Sequence, residues 1–429
     1  MKKILVKVVR KALPQEVTQK LEVNYRKARL SMLDRYYGRP AKGLKVIAIT
    51  GTNGKTTTAN YINEILKEAG YKTAMFTTAV IEIDGKRKRN DYNATIPPVS
   101  VIEKFFAAAK RVKADYVVLE VTAHALDQHK LDNVPIMMAI MTNLTQDHLD
   151  YFKDMDHYAA VKGLLFSGEP QYIVLNRDDD WFDYFDKFNA GELKITYGKD
   201  KDSSVKISDF KLYKKGTEAH LTINKDRLEV ATNLPGEFNV YNMAAAVAAT
   251  SLLNITTANM QEGIANLEEL PGRFERAVQG LSYDVIVDYA HTPDALEKLL
   301  RSTKQITPGR VMLVFGATGD RDKAKRPIMG EIAAKNADKI YVTDEENYHE
   351  PADEIRKAVM LGVIRGGGEL KTTEIADRYK AIETALADAR KGDTILITGM
   401  GHEVFRIING KKQPWNDVAV IKEILAEKS

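Results

Sequence analysis

Thr50-Gly51-Thr52-Asn53-Gly54-Lys55-Thr56-Thr57 joins a continuous apolar run, KVIAIT at 45–50, to a stretch of helical composition that ends before Gly70. Its glycines let the backbone curl so that successive N–H groups face phosphate oxygens. Lys55 adds a point cation, the helix start adds positive potential, and the Thr56 hydroxyl can reach a Mg2+ ion. The spacing is G-x-x-G-K-T, because position 49, where a longer phosphate loop has its first glycine, is Ile. A plain glycine turn with an exposed lysine is the bland alternative, and the strand-loop-helix setting argues against it. Further polar residues collect after other apolar runs: Glu120-Val121-Thr122-Ala123-His124, Asn143 to Asp150, Asp288-Tyr289-Ala290-His291, Asp320-Arg321-Asp322 and Gly401-His402-Glu403. Five of the eight histidines (His124, His148, His291, His349 and His402) fall at or just after such runs, more than surface chance would place there. Glu120 and His148 offer a metal one oxygen and one nitrogen, although Mg2+ prefers oxygen.

The elements that must position these groups read as α/β. Buried-strand runs at 45–50, 73–78, 115–121, 136–143 and 171–176 alternate with helical stretches, which implies right-handed crossovers and a mostly parallel sheet. Residues 205–232 alternate in short steps with turns at Lys215-Gly216 and Asn224-Lys225, predicting an antiparallel appendix. An alanine-rich helix is expected from about Val240 to Leu253. After Pro271-Gly272 a second series begins, with strands expected at 284–290, 311–316, 339–344 and 394–399. The expected organisation is a basic segment at 1–44, an ATP-binding domain at 45–270 with P-loop architecture, and a Rossmann-like α/β domain at 271–429. In open sheets of this kind ligands sit beyond the carboxyl ends of the strands, where the polar clusters fall.

Composition narrows the classes. Lys and Arg number 63 against 59 Asp and Glu, a net +4 that is too balanced for a dedicated nucleic-acid binder. With no cysteine there is no disulfide, thiolate metal site or cysteine nucleophile, which fits a cytoplasmic location. No apolar run approaches the ~20 residues of a membrane span, and MKKILVKVVRK lacks the features of a secretion signal. The charge is uneven: residues 1–45 hold thirteen basic and three acidic residues, a net +10 that leaves −6 for the rest. That segment reads either as a solvated basic helix packed on the body or as a contact for an anionic partner, a membrane surface or a diphosphate.

On its motifs the sequence resembles the Mur ligases, most closely the MurE type, from about Lys45 onward. The blocks are GTNGKTT, EVTAHALDQHK (120–130), TNLTQDHLDYF (142–152), YAAVKGLLF (158–166), PGEFNVYNMAAAVAA (235–249), PGRFERA (271–277), VDYAHTPDAL (287–296), GDRDKAKRPIMGEIA (319–333) and GMGHEVF (399–405). The resemblance implies an ATP- and Mg2+-dependent amide ligase of peptidoglycan precursor synthesis, taking a muramoyl peptide and an amino acid as small-molecule substrates and working as a monomer. It implies ATP contacts from Thr52, Asn53, Gly54, Lys55, Thr56, Thr57, Asn143, Asn239, Asn242, Arg273, Asp288 and His291. Metal ligands would be Thr56, Glu120, His148 and Lys162 as a carbamate, with Lys55, Lys162, His148 and Glu120 carrying catalysis. Substrate contacts would come from Thr95, Thr122, Gln128, Lys130, Glu345, Glu346, Asn347, Tyr348, Gly399 and Glu403. The chemistry is coherent: a carboxylate becomes an acylating agent once phosphorylated, and an amine then displaces phosphate from the acyl carbon.

Three departures bear on the substrates. About 44 residues precede the first strand, where the family has a uridine-binding domain of roughly a hundred residues. The D-N-P-R motif of diaminopimelate-adding enzymes is replaced by Glu345-Glu346-Asn347-Tyr348. Met400 stands in place of the lysine of G-K-G-H-E, and the family's Thr-Thr-Pro reads Thr95-Ile96-Pro97. A ligase of the same superfamily acting on a lipid-linked muramoyl peptide or a folate/polyglutamate carboxylate is the alternative. A non-catalytic nucleotide switch is disfavoured, because no N-K-x-D guanine motif is present and Glu120, His148 and Lys162 are intact.

Overall fold

The computed structural model describes residues 15–92, 95–224 and 226–427. Strands β1 (Lys45–Thr50), β2 (Thr73–Phe76), β3 (Val80–Ile83), β4 (Lys86–Arg89), β5 (Tyr116–Glu120), β6 (Ile136–Met141), β7 (Tyr172–Asn176), β8 (Leu193–Gly198), β9 (Val205–Tyr213), β10 (Gly216–Ile223) and β11 (Asp226–Thr232) share one sheet. Their order is β11-β10-β9-β8-β7-β6-β1-β5-β2-β3-β4. The β8-β7-β6-β1-β5-β2 centre is parallel, and an antiparallel hairpin or meander finishes each edge. The strands expected at 205–232 form the antiparallel appendix, β9-β10-β11. They continue the same sheet, because β8 and β9 pair in parallel at Tyr197↔Val205 and Gly198↔Lys206. The β9–β10 turn is at Lys214-Lys215, one residue earlier than expected.

β1 lies between β5 and β6, and every residue from Val46 to Thr50 is buried. The chain leaves β1 towards β2 on one side and returns through β5 to β6 on the other, so a crevice opens beyond their carboxyl ends. Two helices back this region, Lys55–Glu68 and the alanine-rich Glu237–Ser251, whose residues Ala244 to Ala249 are all fully buried. Small side chains let this second helix lie close to the sheet and to its neighbour. The expected strands at 73–78 and 136–143 stop at Phe76 and Met141, so that Thr77, Thr78, Thr142 and Asn143 turn out of the sheet into the crevice loops.

The second sheet comprises β12 (Glu275–Arg276), β13 (Asp284–Asp288), β14 (Val311–Phe315), β15 (Lys339–Val342), β16 (Thr372–Glu374) and β17 (Thr394–Thr398), in the order β12-β13-β17-β14-β15-β16. All pairings except β12 with β13 are parallel, as a Rossmann-like arrangement requires. A hairpin of β18 (Phe405–Ile408) and β19 (Lys411–Pro414) follows. Arg378 and Asp417, both fully buried, pair through two hydrogen bonds of 2.9 and 2.7 Å and fasten the last helix to this domain.

The basic N-terminal stretch contains a helix, Gln15–Tyr36, which packs on the helix Val99–Arg111 and buries Leu30 to 1% exposure. The basic positions of residues 1–14 lie outside the described residues. Among the described residues, no helix is long and apolar enough to cross a membrane.

Candidate active site

Two glycines shape the loop after β1. Gly51 has φ 144° and Gly54 φ 86°; a Cβ on the first would stand 1.9 Å from Thr142 Oγ1, and on the second 2.3 Å from Asn242 Oδ1. Both positions therefore exclude side chains by conformation and by space. Asn143 holds the loop from the end of β6: its carbonyl accepts from Thr52 N–H at 2.8 Å, and its side-chain oxygen from Asn53 N–H at 2.9 Å. Thr56 Oγ1 donates to Glu120 Oε2 at 2.8 Å, and Thr78 gives the same carboxylate its N–H and its hydroxyl at 2.8 and 2.9 Å. Thr95 joins through Thr78, oxygen to oxygen at 2.5 Å. Lys55 Nζ folds back onto Thr52 O at 2.8 Å. Burial pulls the Lys55 pKa down, Arg273 adds to the fall, and Glu120 and Asp147 oppose it.

The loop forms one wall of a cavity of about 950 Å³. Thr57, Asn239 and Asn242 line it from the two backing helices, and Asn242 Nδ2 donates to Asn239 Oδ1 at 3.1 Å. Lys162 is 1% exposed, with Nζ 2.8 Å from Gly51 O and 4.6 Å from the centre of the Tyr158 ring. Burial, and then the nearby Lys55 cation, hold its amine well below the ordinary lysine pKa, so a neutral amine is accessible there. His148 sits at φ 57°, its ring 4.7 Å from that of His124 and its Nε2 3.2 Å from Asp147 Oδ2. Burial pushes its pKa down to about 3, leaving a neutral imidazole.

The second domain closes the cavity. Arg273 Nη2 donates to Thr56 Oγ1 at 3.3 Å, while its guanidinium lies over the Tyr289 ring at 4.7 Å. Asp288 and His291 line the same space; burial raises the Asp288 pKa against the pull of Arg273 and the N–H groups of Phe274 and Ala290. Several bridges between the domains escaped the sequence reading. Asn53 donates to Asp294 at 2.9 Å, Gln146 to Asp322 at 2.9 Å, and Lys325 to the buried Asp147 at 3.3 Å. Burial works against the Asp147 charge, yet Lys325, His148 and His291 hold the carboxyl well below the usual range. Asp147 and Lys325 stand inside quoted blocks, but nothing local to either position shows that they meet.

The expected substrate contacts separate into two groups. Thr95, Thr122 and Lys130 line the cavity, Thr122 as N-cap of the short helix Ala123–Asp127 and Lys130 with Nζ 2.9 Å from Ile96 O. Gln128 ends that helix and is not part of the cavity wall. Glu345, Glu346, Asn347, Tyr348, Gly399 and Glu403 are not on the cavity wall. Glu345 is taken up by the fold: it accepts from Gly316 N–H at 3.0 Å and Thr318 at 3.3 Å, and it packs where a Gly399 Cβ would stand 2.1 Å from its Oε1. Asn347 is likewise committed, to Glu350 O and Asn409 at 2.8 Å each. Glu403 accepts from Tyr289 at 3.3 Å, and burial, then Glu346, push its pKa up to about 8. Arg321, assigned no role from sequence, lines the cavity with its guanidinium over the Tyr348 ring at 5.1 Å and has no carboxylate partner among the described residues. Three of the five singled-out histidines, His124, His148 and His291, reach the cavity; His402 is buried against Tyr289, and His349 is exposed and paired with Asp320.

Among the described residues, no three His, Asp or Glu side chains converge as a ready-made metal centre. The Thr56 hydroxyl and the Glu120 carboxylate are nevertheless hard oxygen donors beside a phosphate loop, and Thr145 Oγ1 in the same cavity is buried without a partner. That donor set fits Mg2+ brought in with nucleotide phosphates, which ordinarily keeps one or two protein oxygens and several other ligands.

Comparison with known proteins agrees with this architecture. Residues 49–250 match the Mur ligase middle domain and 272–401 the Mur ligase, glutamate ligase domain. The chain is 38% identical over 401 residues to a UDP-N-acetylmuramoyl-L-alanyl-D-glutamate--2,6-diaminopimelate ligase of Syntrophomonas wolfei, covering 92% of this chain and 80% of that protein. A Clostridium acetobutylicum protein of the same description is 36% identical over 421 residues, with 98% and 86% covered. A solved structure of such a ligase superposes with TM-score 0.62 at 29% identity, covering 90% of this chain and 79% of the other. Folylpolyglutamate synthase of Mycobacterium tuberculosis, solved with ADP and AMPPCP, shares the fold at TM-score 0.70 and 20% identity, with 87% and 92% covered. With both domain models matched in order and relatives above 30% identity along nearly its whole length, the chain belongs to the Mur ligase family, among its MurE-type members.

Proposed function

We propose that this chain is an ATP-dependent ligase that joins an amino acid to the peptide carboxyl of a UDP-N-acetylmuramoyl dipeptide in peptidoglycan precursor synthesis. The observation that carries the reading is the Arg273–Thr56 contact at 3.3 Å, which sets a cation of the second domain on the phosphate loop of the first. Phosphoryl transfer needs in-line placement and charge neutralisation more than covalent help. The acceptor carboxylate oxygen bonds to the γ-phosphorus and ADP leaves, giving an acyl phosphate. The amine then bonds to the acyl carbon, phosphate leaves, and the nitrogen loses a proton.

Lys55 and Arg273 face the transferred group from opposite domains, and the interdomain bridges of Asn53, Gln146 and Lys325 exclude water from the acyl phosphate. Asn239 and Asn242, which line the cavity, would take the adenine, and Asp288 the ribose. Mg2+, held by Thr56, Glu120, His148 and a Lys162 carbamate, would neutralise phosphate charge. Lys162 would acquire that carbamate by attack of its neutral amine on carbon dioxide with loss of one proton, which puts an anion where the uncharged amine stood.

For the added amino acid, Arg321 on the cavity wall would take one carboxylate, and a cationic end would have to reach past Tyr289 to meet Glu403, once ionised, off that wall. A second guanidinium for a distal carboxylate is missing where the Asn-Pro-Arg motif would supply it. This favours lysine or ornithine over the diaminopimelate of the named relatives. Phosphate release from UDP-muramoyl dipeptide and ATP, compared with lysine, ornithine and diaminopimelate, tests it. Strong preference for diaminopimelate would overturn the amino-acid assignment, and release indifferent to every amine would overturn the ligase.

A further inference from the structure

The helix Gln15–Tyr36 exposes an apolar stripe that nothing among the described residues covers. Val17, Leu21, Tyr25, Met32 and Tyr36 are 43, 51, 58, 63 and 79% exposed, and Ala28 is exposed between them. At about 100° per residue these six positions fall within an arc of about 100°, running the ~33 Å length of the helix, with Arg35 on the edge of that arc in line with Val17. The face opposite, with Val23, Leu30 and Leu33, is the one turned to the body. Among the described side chains of this helix every exposed charge is a cation: Lys20, Lys27, Arg29 and Arg35, followed in the next turn by Arg39 and Lys42. None of these has a carboxylate within ion-pair distance among the described residues. Of the three helical acids, Glu22 and Asp34 are half-buried, and the Glu16 side chain lies outside the described residues.

We propose that this helix is a surface anchor that lies along an anionic lipid bilayer, its apolar stripe in the headgroup region and its flanking cations on lipid phosphates. Charge complementarity decides the occupant. A second copy of the stripe would set Lys20, Lys27, Arg29 and Arg35 against themselves, and residues 1–14 bring five more cations against one another's charge, with no acid among them. A nucleic acid would use the cations but leave the apolar stripe in water. An interfacial helix uses both, the stripe by burial and each near-surface cation by attraction to anionic headgroups.

The location links the surface to the site. Arg26, on the flank of the helix, lies 4.0 Å from Asp127, which accepts from Tyr151 at 2.6 Å; Tyr151 and Lys130 both line the cavity. Through these contacts the helix that would meet the bilayer also braces the acceptor end of the cavity from its inner side. This last step rests on the ligase reading; the anchor does not.

The test is sedimentation of the full chain with vesicles of phosphatidylcholine alone or mixed with phosphatidylglycerol, at low and physiological salt. Two exposed-surface variants accompany it, Tyr25→Ser/Met32→Ser and Lys27→Ala/Arg29→Ala, each checked by thermal melt. The expected result is binding to the anionic vesicles, weakened by salt and reduced about tenfold or more in both variants. Amine-dependent phosphate release on a soluble acceptor should stay unchanged in both. Failure to bind anionic vesicles, binding by the variants as strong as that of the unsubstituted chain, or self-association lost in the same variants would overturn the anchor. Salt-sensitive vesicle binding without amine-dependent phosphate release would support the anchor while removing the ligase reading.

Discussion

Lys162 carries the most specific residue-scale claim. It is a buried amine pressed against the Gly51 carbonyl, 1% exposed, with Lys55 nearby. Lys162→Ala should lose about a hundredfold or more of the phosphate-release rate, and bicarbonate should not restore it; wild-type activity would remove the carbamate. Glu403 gives a signed pH effect. Burial and Glu346 raise its pKa to about 8, so below that it is largely protonated and unable to pair with an ammonium group. The KM for the amino acid should therefore fall as pH rises towards about 8, and Glu403→Gln should flatten the profile. In stability the sign is opposite: the protonated form is favoured in the fold, so this contribution diminishes from the ordinary carboxylate range up to about 8. Lys55, Thr56 and Glu120 were legible because their chemistry follows from adjacent residues. Arg321 over Tyr348 and Lys325 on Asp147 were not, since each pair joins residues far apart in sequence that only folding brings together.

At the scale of elements, the phosphate loop is set by two glycines at positive φ and by β1 between β5 and β6. Gly54→Ala places a Cβ 2.3 Å from Asn242 Oδ1 at a φ of 86°. Left-handed backbone costs an L-residue roughly 1–2 kcal/mol, so the variant should melt slightly lower while ATP affinity falls more than tenfold in calorimetry. Unchanged affinity would show that the loop is not shaped as described. Arg378 and Asp417 make the opposite kind of element contact, wholly buried and off the cavity wall. Arg378→Met strands a buried carboxylate and should destabilise the second domain by about 3–5 kcal/mol in urea titration. The parallel strands were legible because continuous apolar runs mark strands buried on both faces. The edge strands β4 and β19 were not: KRKR and KKQP carry exposed side chains, and only backbone pairing makes them strands.

Over the whole molecule, the sequence divides into two α/β series, but their meeting is a tertiary fact. The cavity exists because Arg273, Asp288 and His291 of one sheet are carried over the loop of the other, with Asn53–Asp294, Gln146–Asp322 and Asp147–Lys325 as the bridges. That assembly is suited to sheltering a species that water would destroy. The most direct measurement is therefore capture of the acyl phosphate: ATP and UDP-muramoyl dipeptide are mixed with the enzyme and hydroxylamine, without amino acid, and the products are read by mass spectrometry. The hydroxamate of the dipeptide carboxyl, formed in step with ADP and lost in Arg273→Ala, is the predicted result. ADP released without hydroxamate, or hydroxamate formed equally well by Arg273→Ala, would contradict a two-domain site that phosphorylates a carboxylate.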